Sequence, residues 1–417
     1  RSTLSSSSAA SDVYKRQPLL GAAAGFSLLW WILLSLWSKP LIQAEISRYV
    51  VATKKTFLES FAEMPGPKTN FNNKQASWLV WFMFIGVIPS VAGMGGLIGA
   101  VAESGYLMIS IISVETWVFL LCLITWLILY IGGYQSLEKI LLAMVFTFSI
   151  VTLIIAIAMQ STPFSIQADD ILGGLSFKFP TEHTALALAV FGFTGISYGE
   201  IMAYTYWCKE KGYSNHDGDP KQVRNWIKTM QTDVWITVFL VTIGTIPFFL
   251  LGASILNSQG LYPPPNGDII QTLLVMFTSI LGEWARWFFI PLTFFVLFST
   301  FLSGTAAFTR TISDYFISMG LIVEKGNTRQ TLIHYIAFLI PAFSCLAYFI
   351  LPNPILLLMI AGIWAALGLP IVNIGALYLV NKLDKELQPS NLTKIILTIT
   401  LVFQLGIAGL LIFSQMS

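Results

Sequence analysis

Apolar residues fall in blocks of about twenty along the chain, separated by short polar stretches. A helix needs about 20 mostly apolar residues to cross the hydrocarbon core of a bilayer. On that criterion the pattern predicts ten spans, near 18–37, 77–102, 114–133, 139–160, 184–207, 231–255, 284–304, 331–351, 354–380 and 395–414. The connections are short except for 38–76, 208–230 and 305–330. The expected fold class is an all-α polytopic membrane protein, with one transmembrane domain over residues 18–417.

Residues 1–17, RSTLSSSSAASDVYKRQ, break the pattern. They are Ser-rich and lack the hydrophobic stretch of a targeting peptide. The closing DVYKRQ looks like a translated sequencing adapter, so this segment is expected to be a non-native, disordered tail.

Composition agrees with the span count. Hydrophobic residues make up 55% of the chain and charged residues 11%, against about 25% charged in soluble domains. Net charge is +2, and no basic cluster interleaved with aromatics suggests nucleic acid. Cys122, Cys208 and Cys345 follow no metal-ligand spacing and read as packing residues rather than disulfides. His183, His216 and His334 are isolated, and HExxH, GxSxG and P-loop patterns are missing, which argues against an enzyme.

Charge also orients the chain. With 38–76 placed in the cytoplasm, that side collects eighteen Lys and Arg, among them Lys39, Arg48, Lys54, Lys139, Arg224 and Arg310. The other side holds only Lys178 and Arg286. This positive-inside asymmetry predicts an outward C-terminus.

Ionisable groups within spans need a reason to be there. Glu45 and Arg48, three residues apart, share a helix face and read as a local pair. Glu200 lies in ALAVFGFTGISYGEIMAY, with Gly192, Gly195 and Gly199 and with Thr194, Ser197 and Tyr198. Three glycines make a poor continuous helix. Transporters unwind such stretches to expose carbonyls and half-helix ends to an ion. The competing reading is that Gly195 and Gly199 form a GxxxG packing pair. VAGMGGLIGA, at 91–100, holds no ionisable residue and reads as packing. GLPIVNIG brings Gly368, Pro370 and Asn373 together, as either a proline kink or a site with a freed carbonyl and an amide ligand.

Three segments then resemble the Nramp-type divalent-metal transporters. QAEISRYVVATKKTFLESF is similar to the end of that family's second helix, with Lys54 where a Gly usually follows Thr53. FSTFLSGTAAFTRTISDYF, with Ser299, Thr300, Ser303, Gly304 and Thr305, looks like its transport signature. GLPIVNIGALYLVNK matches the Leu-Pro core of its tenth helix.

The resemblance implies a leucine-transporter-like inverted-repeat fold, with family helices two to eleven present and the first truncated. It also implies a secondary transporter of a divalent cation of the Mn/Fe/Mg class. Such a protein would sit in a bacterial inner membrane, act as a monomer in the lipid bilayer, and need no cofactor beyond the transported ion. The family's Met-Pro-His step aligns with Ile196, Ser197 and Tyr198, with Phe193 offering its carbonyl. Its tenth-helix Gln becomes Gly368.

Ile196 has no ligating atom, so Thr194, Ser197, Tyr198 and Glu200 would favour harder ions. The span at 77–102 has no acid to relay protons, so proton coupling is expected to be weak. The alternative is a transporter of the same fold for an amino acid or amine, with Trp30, Trp31 or Tyr198 lining a larger cavity.

Overall fold

Polar residues end a hydropathy window sooner than they end a helix, and that difference separates the observed elements from the expected ones. A computed structural model describes residues 17–131, 134–263 and 269–416. The tail at 1–16 and the side chain of Lys139 lie outside the described residues.

After a short helical stretch at 17–24, Gly25 takes a positive φ of 57° and a 3₁₀ turn redirects the chain. Helix α1 then runs Leu29–Thr53, through Pro40 and well past the expected end at 37. It is followed by α2 (Trp78–Met108, with a step at Gly86), α3 (Val114–Ile131) and α4 (Tyr134–Ala158). Next come the half-helices α5 (Thr184–Phe193) and α6 (Tyr198–Glu210). The remainder is α7 (Pro220–Leu251), α8 (Arg286–Ser318), α9 (Thr328–Ile350), α10 (Pro354–Lys382) and α11 (Asn391–Met416).

Counting α5 and α6 as one crossing, nine of these helices are long and apolar enough to span among the described residues, and α4 is the tenth helix of the series. An additional apolar helix, Ile269–Leu281, is 13 residues long and, at about 20 Å, too short to span.

The three long connections shrink accordingly and lie together. Lys54 Nζ donates to the His216 carbonyl at 2.5 Å, and Asn72 Nδ2 donates to the Gly320 carbonyl at 2.7 Å. The first connection carries a hairpin, β1 (Lys68–Phe71) and β2 (Lys74–Ser77), turning on Asn72 and Asn73 with φ of 49° and 61°. Two consecutive Asn residues in this conformation suit a tight hairpin turn. Lys54 itself takes φ 63° at the end of α1, which explains why the resembled family prefers Gly at this step.

Lys39 corrects the charge tally. Its side chain is fully buried inside α1 rather than in a connection. Glu45 and Arg48 form the expected local pair, with Nε to Oε2 at 2.6 Å and Nη2 to Oε1 at 3.1 Å.

The centre of the bundle is tight because glycines let helices touch. A Cβ at Gly95 would come 2.7 Å from the Ser344 carbonyl of α9, and one at Gly96 would come 2.6 Å from the Pro354 carbonyl of α10. This bears out the packing reading of VAGMGGLIGA. Helix α10 packs along both α2 and α5, while α1 packs on α7 and α6. On the opposite flank, α3 meets α9, and Cys122 and Cys345, distant in sequence, pair thiol to thiol.

Two measurements check this arrangement. With the native cysteines replaced by Ser, Gln75→Cys and Asp217→Cys should react with an impermeant maleimide from the same side of the membrane. Labelling from opposite sides would refute the topology. In the native chain, a thiol oxidant should link Cys122 to Cys345, and peptide mass spectrometry should find that pair in preference to either with Cys208.

Candidate functional site

Helix α5 stops at Phe193 and α6 starts at Tyr198, so the fifth crossing is interrupted as the glycine pattern predicts. Three glycines have three different duties here. A Cβ on Gly192 would run into the Gly362 carbonyl, so this residue lets α5 approach α10. Gly195 has φ +77°, a left-handed conformation that lets the chain leave α5. A Cβ on Gly199, at the start of α6, would meet only the Ser197 hydroxyl, at 3.9 Å, and the residue lines a cavity. The Gly195–Gly199 pair is therefore not a helix-packing motif.

The restart at α6 has a local cause. Ser197 Oγ accepts from the Glu200 backbone N–H at 3.3 Å, and Glu200 Oε2 accepts from the Ser197 N–H at 2.7 Å. This reciprocal pair is a capping box, which satisfies two of the donors that a helix start leaves open. The Ser-x-x-Glu spacing is legible in the sequence, and it gives Glu200 a structural duty beside any electrostatic one.

The break borders a cavity of about 130 Å³. Phe193, Ser197, Tyr198, Gly199 and Glu200 reach it from the broken helix; Thr300, Ser303 and Gly304 reach it from α8. Ser90 adds a hydroxyl from α2, and Met83, Met94 and Met202 also stand in the wall. The three thioethers were not anticipated because they come from two helices distant in sequence, α2 and α6. The α8 signature residues sit in an uninterrupted helix, where Gly304 leaves room for the Met94 side chain, whose Sδ would be 3.3 Å from a Cβ there. Among the described residues no three His, Cys, Asp or Glu cluster together, so a cation here would be held mainly by hydroxyl, carbonyl and thioether atoms around one carboxylate.

Several expected ligands are placed elsewhere. Ile196 is buried in the apolar core and does not line the cavity. Thr194 is fully buried behind the break, its hydroxyl donating to the Val190 carbonyl at 2.7 Å and accepting from Gln17 Nε2 at 3.0 Å. Gly368 does not line the cavity; it makes room for the Tyr198 ring, whose Cδ1 would be 3.0 Å from a Cβ there. Asn373 is fully buried between α10 and α11, donating to the Leu397 carbonyl and to Gln404 Oε1, both at 3.2 Å.

Tyr198 does face the cavity. Its hydroxyl reaches the Gly86 carbonyl at 3.3 Å, where α2 steps, and Ser90 Oγ at 3.4 Å. Trp30 and Trp31 are not in the wall; their indoles donate to the Lys178 and Ala187 carbonyls at 3.0 and 2.8 Å.

The cap and the charge can be separated by mutation. Gln at position 200 can still serve the capping box, so Glu200→Gln should keep the thermal stability within about 2 °C of the native chain. Ser197→Ala removes the cap and should cost about 1 kcal/mol. Equal destabilisation by the two variants would show that the carboxylate charge, not the cap, holds the break.

The sequence profile described as natural resistance-associated macrophage protein-like (Nramp) matches residues 19–414. No functionally curated protein matches in sequence. A point mutant of the Eremococcus coleocola manganese transporter superposes with a TM-score of 0.62 at 18% identity, over 100% of this chain and 94% of that one. The same transporter bound to an aromatic bis-isothiourea compound gives 0.64 at 17% identity, with the same coverage. MhsT in complex with L-phenylalanine gives 0.61 at 16% identity, over 99% of this chain and 97% of that one. The fold is therefore the leucine-transporter-like one, and with a family profile covering nearly its whole length the chain belongs to the Nramp family.

Proposed function

We propose that this protein is a secondary transporter of a divalent metal cation, with the broken crossing α5–α6 as the centre of its binding site. The observation that carries this reading is the interruption at Thr194–Ser197 beside a cavity whose wall holds one carboxylate, Glu200, and a set of neutral donors. A half-helix end and a lone carboxylate attract a cation and bind it weakly enough to release it. The manganese transporters with the same fold are consistent with this reading.

Selectivity follows from the donor set. Hydroxyls alone would favour magnesium-like ions, but the thioethers of Met83, Met94 and Met202 in the same wall shift the preference toward manganese and iron. Met202 is already engaged, its Sδ accepting from the Tyr315 hydroxyl at 3.7 Å, so Met83 and Met94 are the freer candidates. Helix α2 contributes no acid to the wall, which supports weak proton coupling. The same reading has the chain acting as a monomer in a bacterial inner membrane, without a resident cofactor.

A second reading is favoured by the rest of the wall. Phe193, Trp207, Phe308 and Tyr315 make it largely apolar and aromatic, as suits a small amine or amino acid.

Uptake into proteoliposomes distinguishes the two. Mn²⁺ should enter saturably, Cd²⁺ should compete, Mg²⁺ should compete poorly, and Glu200→Gln should cut the rate at least about tenfold, equivalent to about 1.4 kcal/mol. Uptake of an amino acid with no Mn²⁺ flux would replace the first reading by the second.

A further inference from the structure

Lys39 is the eleventh residue of the 25-residue α1, about 15 Å from its start, and its side chain is fully buried. A lysine near a span end can snorkel to the headgroups; one at this depth cannot, so its ammonium must be satisfied inside the protein. The satisfaction is specific. Lys39 Nζ donates to the Phe191 carbonyl at 2.7 Å and lies 5.3 Å from the centre of the Phe191 ring. One turn earlier on α1, Ser35 Oγ contacts the same carbonyl at 3.0 Å and the Thr194 carbonyl at 3.3 Å. Burial opposes the ammonium form, and the Glu200 carboxylate, across the break, favours it.

The Phe191 carbonyl belongs to the last turn of α5, where the helix dipole is negative and carbonyls lack the N–H partners that a continuing helix would supply. In broken-helix transporters this end is where cations bind. Here the Lys39 Nζ, covalently attached to α1, already donates to that end.

We propose that Lys39 is the protein's built-in counter-cation for the carbonyl end of α5, filling the position that a monovalent coupling ion such as Na⁺ or K⁺ would otherwise take. Its single charge faces the break from behind, and Glu200 balances it from the cavity side. Transport in this protein then proceeds without a Na⁺ or K⁺ gradient acting at this end. Lys39 is a positioning residue; it does not line the cavity. The inference rests on α5–α6 being the working break, but not on which solute is carried.

The test is thermal unfolding of the purified full chain in NaCl, KCl and choline chloride at equal ionic strength. The native chain should melt at the same temperature in all three salts. Lys39→Met, which keeps length but removes the charge, should melt lower in choline and recover saturably, by about 2 °C or more, in Na⁺ or K⁺. Lys39→Arg keeps the charge and should behave as the native chain does.

Saturable stabilisation of the native chain by Na⁺ or K⁺ would overturn the proposal, and this arm decides even if Lys39→Met does not fold. A folded Lys39→Met chain indifferent to the salt would overturn it as well. Mn²⁺ titrated into the same samples reads the cargo separately. Loss of that response with the salt pattern intact would refute the metal reading and leave Lys39 in its role.

Discussion

Inside a bilayer a backbone group has no water to turn to, so a transmembrane helix that stops halfway must find partners for the carbonyls and N–H groups it releases. The rest of this structure is arranged around that demand at residues 194–197. On the carbonyl side, α1 supplies Ser35 and Lys39 to the Phe191 and Thr194 oxygens. On the N–H side, the chain supplies itself, through the Ser197–Glu200 capping box. The close contacts of Gly192 and Gly362 then hold α5 against α10, so the break stays in place while one face remains open to the cavity.

This division explains why the polar residues of the interrupted segment have such different fates. Thr194 and Ile196 point into protein and serve the break; Ser197, Tyr198 and Glu200 point into the cavity and face whatever enters it. Glu200 does both, which makes its charge costly to place and hard to replace. The cap hydrogen bonds hold the Glu200 side chain in the site. The cavity therefore keeps a fixed negative group near the positive end of α6, with Lys39 balancing it from behind.

What the sequence made legible was governed by periodicity and local chemistry. Ten helices, the break and the Glu45–Arg48 pair follow from patterns a few residues long, and each is present. The Ser-x-x-Glu cap was equally readable, since its spacing alone implies a helix start. The expected ligands that stand away from the cavity share one cause: matching a motif fixes a position along a helix but not the face that position presents. Gly368 and Asn373 lie on the correct helix, yet one packs under the Tyr198 ring and the other faces α11. The helix ends were misjudged for a different reason. Lys39 and Arg48 lower a hydropathy average, while α1 continues through Pro40, which removes one helical hydrogen bond, until Lys54 turns left-handed.

The thioethers show where sequence reasoning reaches its limit for a site of this kind. Met83 and Met94 on α2 and Met202 on α6 are ordinary apolar residues in sequence, and only the folded bundle brings them to one wall. The resemblance aligns Ile196 with a methionine, and in this chain the sulfur in the cavity wall comes from side chains carried by α2 and α6. A flexible thioether adapts to ions of different radius better than a fixed one. Selectivity in such a cavity then depends less on the identity of one ligand in the break than on how closely α2 and α8 approach it, a distance set by Gly304 beneath Met94.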